Sequence, residues 1–424
     1  MPERINEICY GAEEVFVKTD RFNTSEISFN FYLPLDRERV AEFALLPFIL
    51  TSCGKNYPDF SRLNFMLSKL YGADLFASSE KIGDYLLLKM GVSTIDDRFA
   101  LDKESISSMS VDMLVDLIFN PKAENDSFCA EDLAREKRRA IESIKSEMSE
   151  KRIYAATRLI EEMFDDDIYS VKKCGTVKQV EAITGESLYS AWEYMLTHAF
   201  LRINVVASKE PAGILDVVKE NLEKFERKNV TDCSKTTPAR RRALVKRVEE
   251  KMDVAQGKLV MGFNVTSNQG EDNTVLSVMA NLFGGGPYSL LFTNVREKMS
   301  LCYYCAASLV KEKGFMTVSS GIEPQNAEKA EKEILNQLSK IGDGDFDDDT
   351  FKAVIRGICD SLKTLNDSQS ALDTWYANRI FIRQNYSPDE VADKIQSVTR
   401  EEVSRAARNV ALNTVYMLMP KGEK

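Results

Sequence analysis

The chain has 424 residues, too many for one ordinary hydrophobic core, so two or more domains are expected. Its 66 acidic against 56 basic side chains leave a formal charge of -10, which excludes nonspecific nucleic-acid binding as a default because the long-range field has the wrong sign. The opening MPERINEICYGAEE has neither a long apolar run nor a cationic segment leading into one, which points away from secretion or a membrane anchor and toward the cytoplasm.

In chain order, residues 25–35 (SEISFNFYLPL) alternate Ile27, Phe29, Phe31 and Leu33 against Ser28, Asn30 and Tyr32, the pattern of a strand with one buried face. A helix is expected over 38–50. Pro47 inside it removes one N–H bond at a cost of roughly 3 kcal/mol, so a kink or interruption is expected there. SRLNFMLSKL from Ser61 continues as helix, and GADLFASSEKIGDYLLLKMGVS reads as an extended pair. A long helical region opens at 134, and Asp165, Asp166 and Asp167 read as a solvated helix end or loop. Thr184 ahead of Glu186 suits a helix start, and a strand closes this half.

Residues 225–243 are polar and charged, with a basic run at 240–242, and read as a solvated linker. GKLVMGFNVTS then repeats the opening strand with Leu259, Met261, Phe263 and Val265, about 232 positions further on. EDNTVLSVMANLF, PYSLLFTNVREKM and LCYYCAASLVKEKGFMTVSSGI follow in the earlier order, with Gly314 where Gly83 stood. A second helical region opens at 351, Thr399 precedes Glu401 and Glu402, and a strand ends the chain. Strand, helix, helix, hairpin thus occurs twice. The expected class is α+β: two homologous domains, 1–224 and 244–424, each an antiparallel-rich β-sheet covered on one face by helices.

Eight cysteines at 9, 53, 129, 174, 233, 302, 305 and 359 lie far apart in a chain large enough to need no staples, and read as free thiols. Cys302 and Cys305 form a CxxC, but in extended chain i and i+3 point to opposite faces, so the pair reads as structural or incidental. The one histidine, His198, sits near a helix end and reads as capping or packing. Serine- or cysteine-based catalysis that needs a histidine base would have to use it, and no activated nucleophile stands nearby. Gly284, Gly285 and Gly286 suit a turn between helices, without the spacing of a nucleotide loop.

LFGGGPYSLLFTNVREKMSLCYY, residues 282–304, resembles the second-domain signature of the insulinase and mitochondrial-processing-peptidase family. The duplicated order of elements extends that resemblance over essentially the whole chain. It implies duplicated α+β domains that hold peptide substrates, with residues matching Arg296 and Tyr303 binding substrate beside the zinc of the other domain. Read from the residues alone, Arg296 is a helix-surface side chain and Tyr303 is strand packing.

Active members of that family carry His-x-x-Glu-His on the first helix, two imidazoles for zinc and a glutamate as general base. Here Leu45, Phe48 and Ile49 stand at those positions, and Ser143 stands at the third-ligand glutamate. Glu142 falls one residue early, about 100° round the helix. The resemblance therefore implies a non-catalytic member with no metal, cofactor or catalytic residue of its own, similar to bacterial zinc-less members associated with elongation factor P modification. Such a chain pairs with a zinc-bearing homologue and helps bind or orient peptide, a homodimer being the alternative. An independent hydrolase with an unrecognised site and a scaffold without peptide binding are the competing readings.

Overall fold

The computed structural model describes residues 4–382 and 384–421. The chain divides into two compact units whose sequence segments interleave: the described residues up to 144 with 171–235 and 365–381, and 145–170 with 236–364 and the described residues from 382 onward. One break, at 235/236, falls within the expected 225–243, while 145–170 and 365–381 go to the other unit, so that each half of the sequence contributes a helix to the unit built mainly from the other half.

The first unit is built on a sheet of β1 (Arg4–Cys9), β2 (Ala12–Lys18), β3 (Thr24–Pro34), β4 (Asp74–Ile82), β5 (Tyr85–Ile95) and a late strand (Phe200–Ala207), which is β8 once the small hairpin β6 (Ala123–Glu124) and β7 (Ser127–Phe128) is numbered. Its order is β1-β2-β8-β3-β5-β4, antiparallel throughout except for β2 beside β8. The second sheet holds β9 (Lys246–Met252), β10 (Gly257–Asn264), β11 (Cys302–Val310), β12 (Phe315–Ile322) and β13 (Ala411–Pro420). Its order is β11-β12-β10-β13-β9, with β13 and β9 parallel. Reversing one order matches the sheets strand for strand, with β1 added to the first. The strands read as duplicates, β3 and β10, occupy the same central position, and Gly83 and Gly314 both take positive φ between the paired strands at the edge. The α+β expectation therefore holds.

One helix layer in the first unit contains α1 (Val40–Leu50), α3 (Ile106–Phe119) and α7 (Gly185–His198), with α2 (Phe60–Lys69) following α1 in the chain. Ile27, Phe29 and Phe31 are fully buried, as alternation requires. The opposite face of β3 is buried too, contrary to the expectation of one wet face. Counting α4 (Ala130–Ser149), α5 (Lys151–Met163), α6 (Val177–Ala182), α8 (Ile214–Leu222), α9 (Thr274–Gly284), α10 (Ala327–Asp343) and α11 (Asp348–Thr364), the helix over that face is α12 (Gln369–Ala377). Ser28 donates to Asp373 at 2.6 Å, Asn204 donates to it at 2.8 Å, and the Tyr32 hydroxyl donates to the Ala377 carbonyl at 2.7 Å. Buried polar atoms are tolerated because they are bonded. In the second unit α9 and α10 cover one face, while Ala155 and Leu159 of α5 pack on Val260, Tyr416 and Leu418 from the other.

Further expectations divide. Thr184 and Thr399 cap their helices, each accepting from the backbone N–H three residues on. The first helix runs unbroken through Pro47, because nine of its eleven residues are buried and that packing outweighs one missing bond. The aspartates after α5 are not merely solvated: Asp165 pairs with Arg242 at 2.5 Å and Lys246 at 2.7 Å, and Asp167 pairs with the fully buried Lys313 at 3.2 Å. Arg242 is thereby tied down within the second unit, and Arg241 donates to the Asn409 carbonyl at 2.9 Å. Arg227, also read as linker, donates to the Gly11 and Ala199 carbonyls at 3.0 and 2.8 Å within the first unit.

Candidate functional site

Two places answer to the residues singled out above, one in each unit. In the first unit, Leu45 and Ile49 sit one turn apart on the buried stripe of α1, packed and without polar function. Phe48 is 39% exposed and faces a cavity of about 770 Å³. Ser143 is exposed on α4 and does not line that cavity. The four positions therefore do not converge as a ligand set.

The α4 wall of the cavity was missed from sequence. Asp132, Arg135, Glu136 and Arg139 recur at i+3 and i+4 and so share one face. Arg135 donates from Nη1 to Asp132 at 2.8 Å, from Nε to Glu136 at 2.9 Å and from Nη2 to Ser52 Oγ at 3.2 Å. Arg139 reaches Glu136 at 3.1 Å, and Lys122 reaches Asp132 at 2.8 Å. Burial works against the Asp132 carboxylate, but hydrogen bonds from Lys122 and Arg135 outweigh it and hold its pKa below the usual range. Where a metal site would present unpaired donors, this wall presents carboxylates already satisfied by cations. Among the described residues no group of three or more His, Cys, Asp and Glu is placed to hold a metal ion. His198 ends α7, stacked on Tyr194 with ring centroids 4.0 Å apart, and its Nδ1 lies 2.7 Å from the Thr197 hydroxyl.

In the second unit the segment 284–304 builds a more open feature. Gly284, Gly285 and Gly286 have ordinary negative φ, so their freedom is not used for a left-handed turn. Gly284 is needed for close approach, since a Cβ there would stand 2.6 Å from the Ala307 nitrogen. Ser289, buried, donates to the Gly286 carbonyl at 2.6 Å and starts a π-helical segment, Leu291–Lys298. The wider turn sets Arg296 against β11. Its Nε donates to the Tyr303 carbonyl at 3.0 Å, and its guanidinium lies 4.5 Å from the Phe292 ring centre. Both Nη groups have no hydrogen-bond acceptor among the described residues.

Tyr303 is 62% exposed, so the packing reading fails for it. The cause is a β-bulge: Cys302 pairs with Ile322, Tyr304 with Gly321 and Cys305 with Ser320, leaving Tyr303 unpaired on β11. Tyr304 takes the packed role, its ring against Gly321 and 4.5 Å from the Arg152 guanidinium. The same bulge overturns the expectation for the cysteines. Ile322 and Ser320 are two residues apart on β12 and share a face, so Cys302 and Cys305 opposite them share one too.

With that geometry in place, the chain was compared with known proteins. Residues 182–358 match the family model described as Peptidase M16 inactive domain. A probable inactive metalloprotease of Bacillus subtilis (strain 168), YmfF, is 30% identical over 418 residues, spanning 96% of each chain. The chain belongs to the M16, or insulinase-type, peptidase family. A protein described as an uncharacterized zinc protease of Mycobacterium tuberculosis is 23% identical over 333 residues, 74% of this chain and 72% of that one. Among solved structures, a conserved protein from Enterococcus faecalis V583 matches with a TM-score of 0.92 at 24% identity over the whole of both chains. An M16 inactive-domain protein from Pseudomonas fluorescens matches with 0.79 at 14% identity over 99% of each. These two likenesses bear on the fold. The chain thus matches the family's inactive-domain model, and among the described residues it offers no cluster placed to hold a metal ion. No helix among the described residues is long and apolar enough to cross a membrane.

Proposed function

We propose that this M16 homologue binds an extended peptide and orients it for a zinc-bearing homologue, with Arg296 and Tyr303 supplying hydrogen-bond donors in trans. The observation that carries the reading is the contrast between the two sites. Leu45 and Ile49 are packed and the α4 carboxylates are neutralised, whereas the Arg296 Nη groups on a π-helix have no acceptor among the described residues and the Tyr303 phenol on a β-bulge is exposed. Both distortions are local departures that recur at functional sites. A guanidinium and a phenol can donate to a peptide carbonyl or a developing oxyanion held by the partner.

The pair works in the cytoplasm on this reading, which agrees with eight free thiols. The link to elongation factor P modification stands outside it, since neither the relatives nor the geometry carries it. The test is kcat/KM of the complex reconstituted with the zinc-bearing homologue, under matched assembly. Removing one donor from a preorganised site costs about 10²- to 10³-fold in rate. Tyr303→Phe and Arg296→Ala should each lower the partner's activity at least about tenfold while the complex still forms. Rates within about twofold of the parent for both would refute the role and favour a scaffold without peptide binding.

A further inference from the structure

The CxxC has a consequence independent of any partner. The bulge compresses three residue steps of β11 into the length of two on β12. At about 3.3 Å per residue the Cα separation of Cys302 and Cys305 falls from about 10 Å to about 6.6 Å, inside the range of roughly 4.4–6.8 Å that a disulfide spans. Both thiols are buried, at 9% and 5% exposure, on one face of β11 at the positions paired with Ile322 and Ser320. The Arg296 guanidinium adds positive charge beside Cys302.

We propose that Cys302 and Cys305 form a reversible dithiol–disulfide site oxidised by hydroperoxides, with Cys302 the attacking and Cys305 the resolving thiol. The neighbouring Cys305 thiol is the main cause that draws Cys302 down to about 7, and Ser320 and Arg296 assist against burial. Cys302 first, then burial, pushes Cys305 up, so it keeps its proton. The Cys302 thiolate attacks the terminal peroxide oxygen. The O–O bond breaks, the leaving alkoxide or hydroxide takes a proton, and Cys302 becomes a sulfenic acid. The Cys305 sulfur then attacks the Cys302 sulfur, the S–O bond breaks, and the departing oxygen leaves as water with the Cys305 proton. In sum two thiols lose two hydrogens and two electrons, and the peroxide is reduced to an alcohol, or water, plus water. Tyr303 lies inside the ring that closes.

One tryptic peptide, residues 299–311, carries both cysteines, so the experiment reads them together. The folded full-length protein is treated with hydrogen peroxide, alkylated and mapped by mass spectrometry. Peptide 299–311 should appear two hydrogens lighter and unalkylated before Cys129 or Cys174 is oxidised, although both of those are more exposed, and thiol reductant should restore it. Alkylation of native Cys302 should be half-maximal near pH 7, and Cys305→Ser should leave a sulfenic acid on Cys302 that dimedone captures. The proposal is overturned if the wild-type peptide stays reduced while Cys129 and Cys174 oxidise, or if Cys302 titrates in the ordinary thiol range around pH 8.5.

Discussion

Glu26 on β3 offers a stability test that depends on one helix and one sheet. It is 6% exposed and faces Asp373 of α12, which is 1% exposed, with Lys89 of β5 paired to Asp373 and Asp74 of β4 beyond. Asp373 already accepts from Ser28 and Asn204, so the ammonium is spent on that carboxylate. Burial first, then Asp373, pushes Glu26 up to about 7. A folded pKa above the unfolded one means that the stabilising contribution is complete below about 4.5 and lost as pH rises through about 7. At 1.36 kcal/mol per pKa unit the loss is at most about 3.4 kcal/mol, and roughly 2–3 kcal/mol once coupling to Asp373 is discounted. Glu26→Gln keeps the shape and cannot ionise. Its unfolding free energy should match that of the parent within about 1 kcal/mol at pH 5 and exceed it by about 2–3 kcal/mol at pH 8. Both tryptophans, Trp192 and Trp375, lie in the first unit, so urea melts followed by tryptophan fluorescence report on it directly. A Gln variant with no pH-dependent advantage, or one less stable than the parent at pH 8, would refute the reasoning.

Two further outcomes follow from burial and pairing. Leu45→His places a polar ring on the packed stripe of α1 and should cost about 3 kcal/mol or more, whereas Phe48→Ala, on the cavity side, should cost clearly less; equal costs in urea melts would contradict the packing of α1. Lys313→Met takes the buried ammonium away from Asp167 and removes a cation 5.5 Å from the Phe164 ring and 5.3 Å from that of Tyr169, so a loss of about 3 kcal/mol is expected, largely recovered by adding Asp167→Asn. Thermal melts in which the double variant is no better than the single would sink that account.

Much of the fold was legible because its signals are local. Strand periodicity in 25–35 and 257–266 and the Thr184 and Thr399 caps depend only on neighbours along the chain. Pro47 misled because the rule for an isolated helix omits the packing that keeps this one unbroken. Asp165 and Asp167 misled because their cations, Arg242, Lys246 and Lys313, stand far away in sequence. The ionic wall of α4 could have been suspected from the i+3 and i+4 spacing of Asp132, Arg135, Glu136 and Arg139, though not its contact with Ser52.

By itself the sequence determined the duplicated α+β plan, because periodicity and the order of elements need no third dimension. Only the tertiary structure decided which polar atoms could be buried. Ser28 and Asn204 are stable inside because α12 brings Asp373 to them from more than 150 positions away. It also decided which way Tyr303, Cys302 and Cys305 point. One extra residue between two ladder pairs inverts the alternation of a strand, and the pairing partner on β12 fixes where that residue falls.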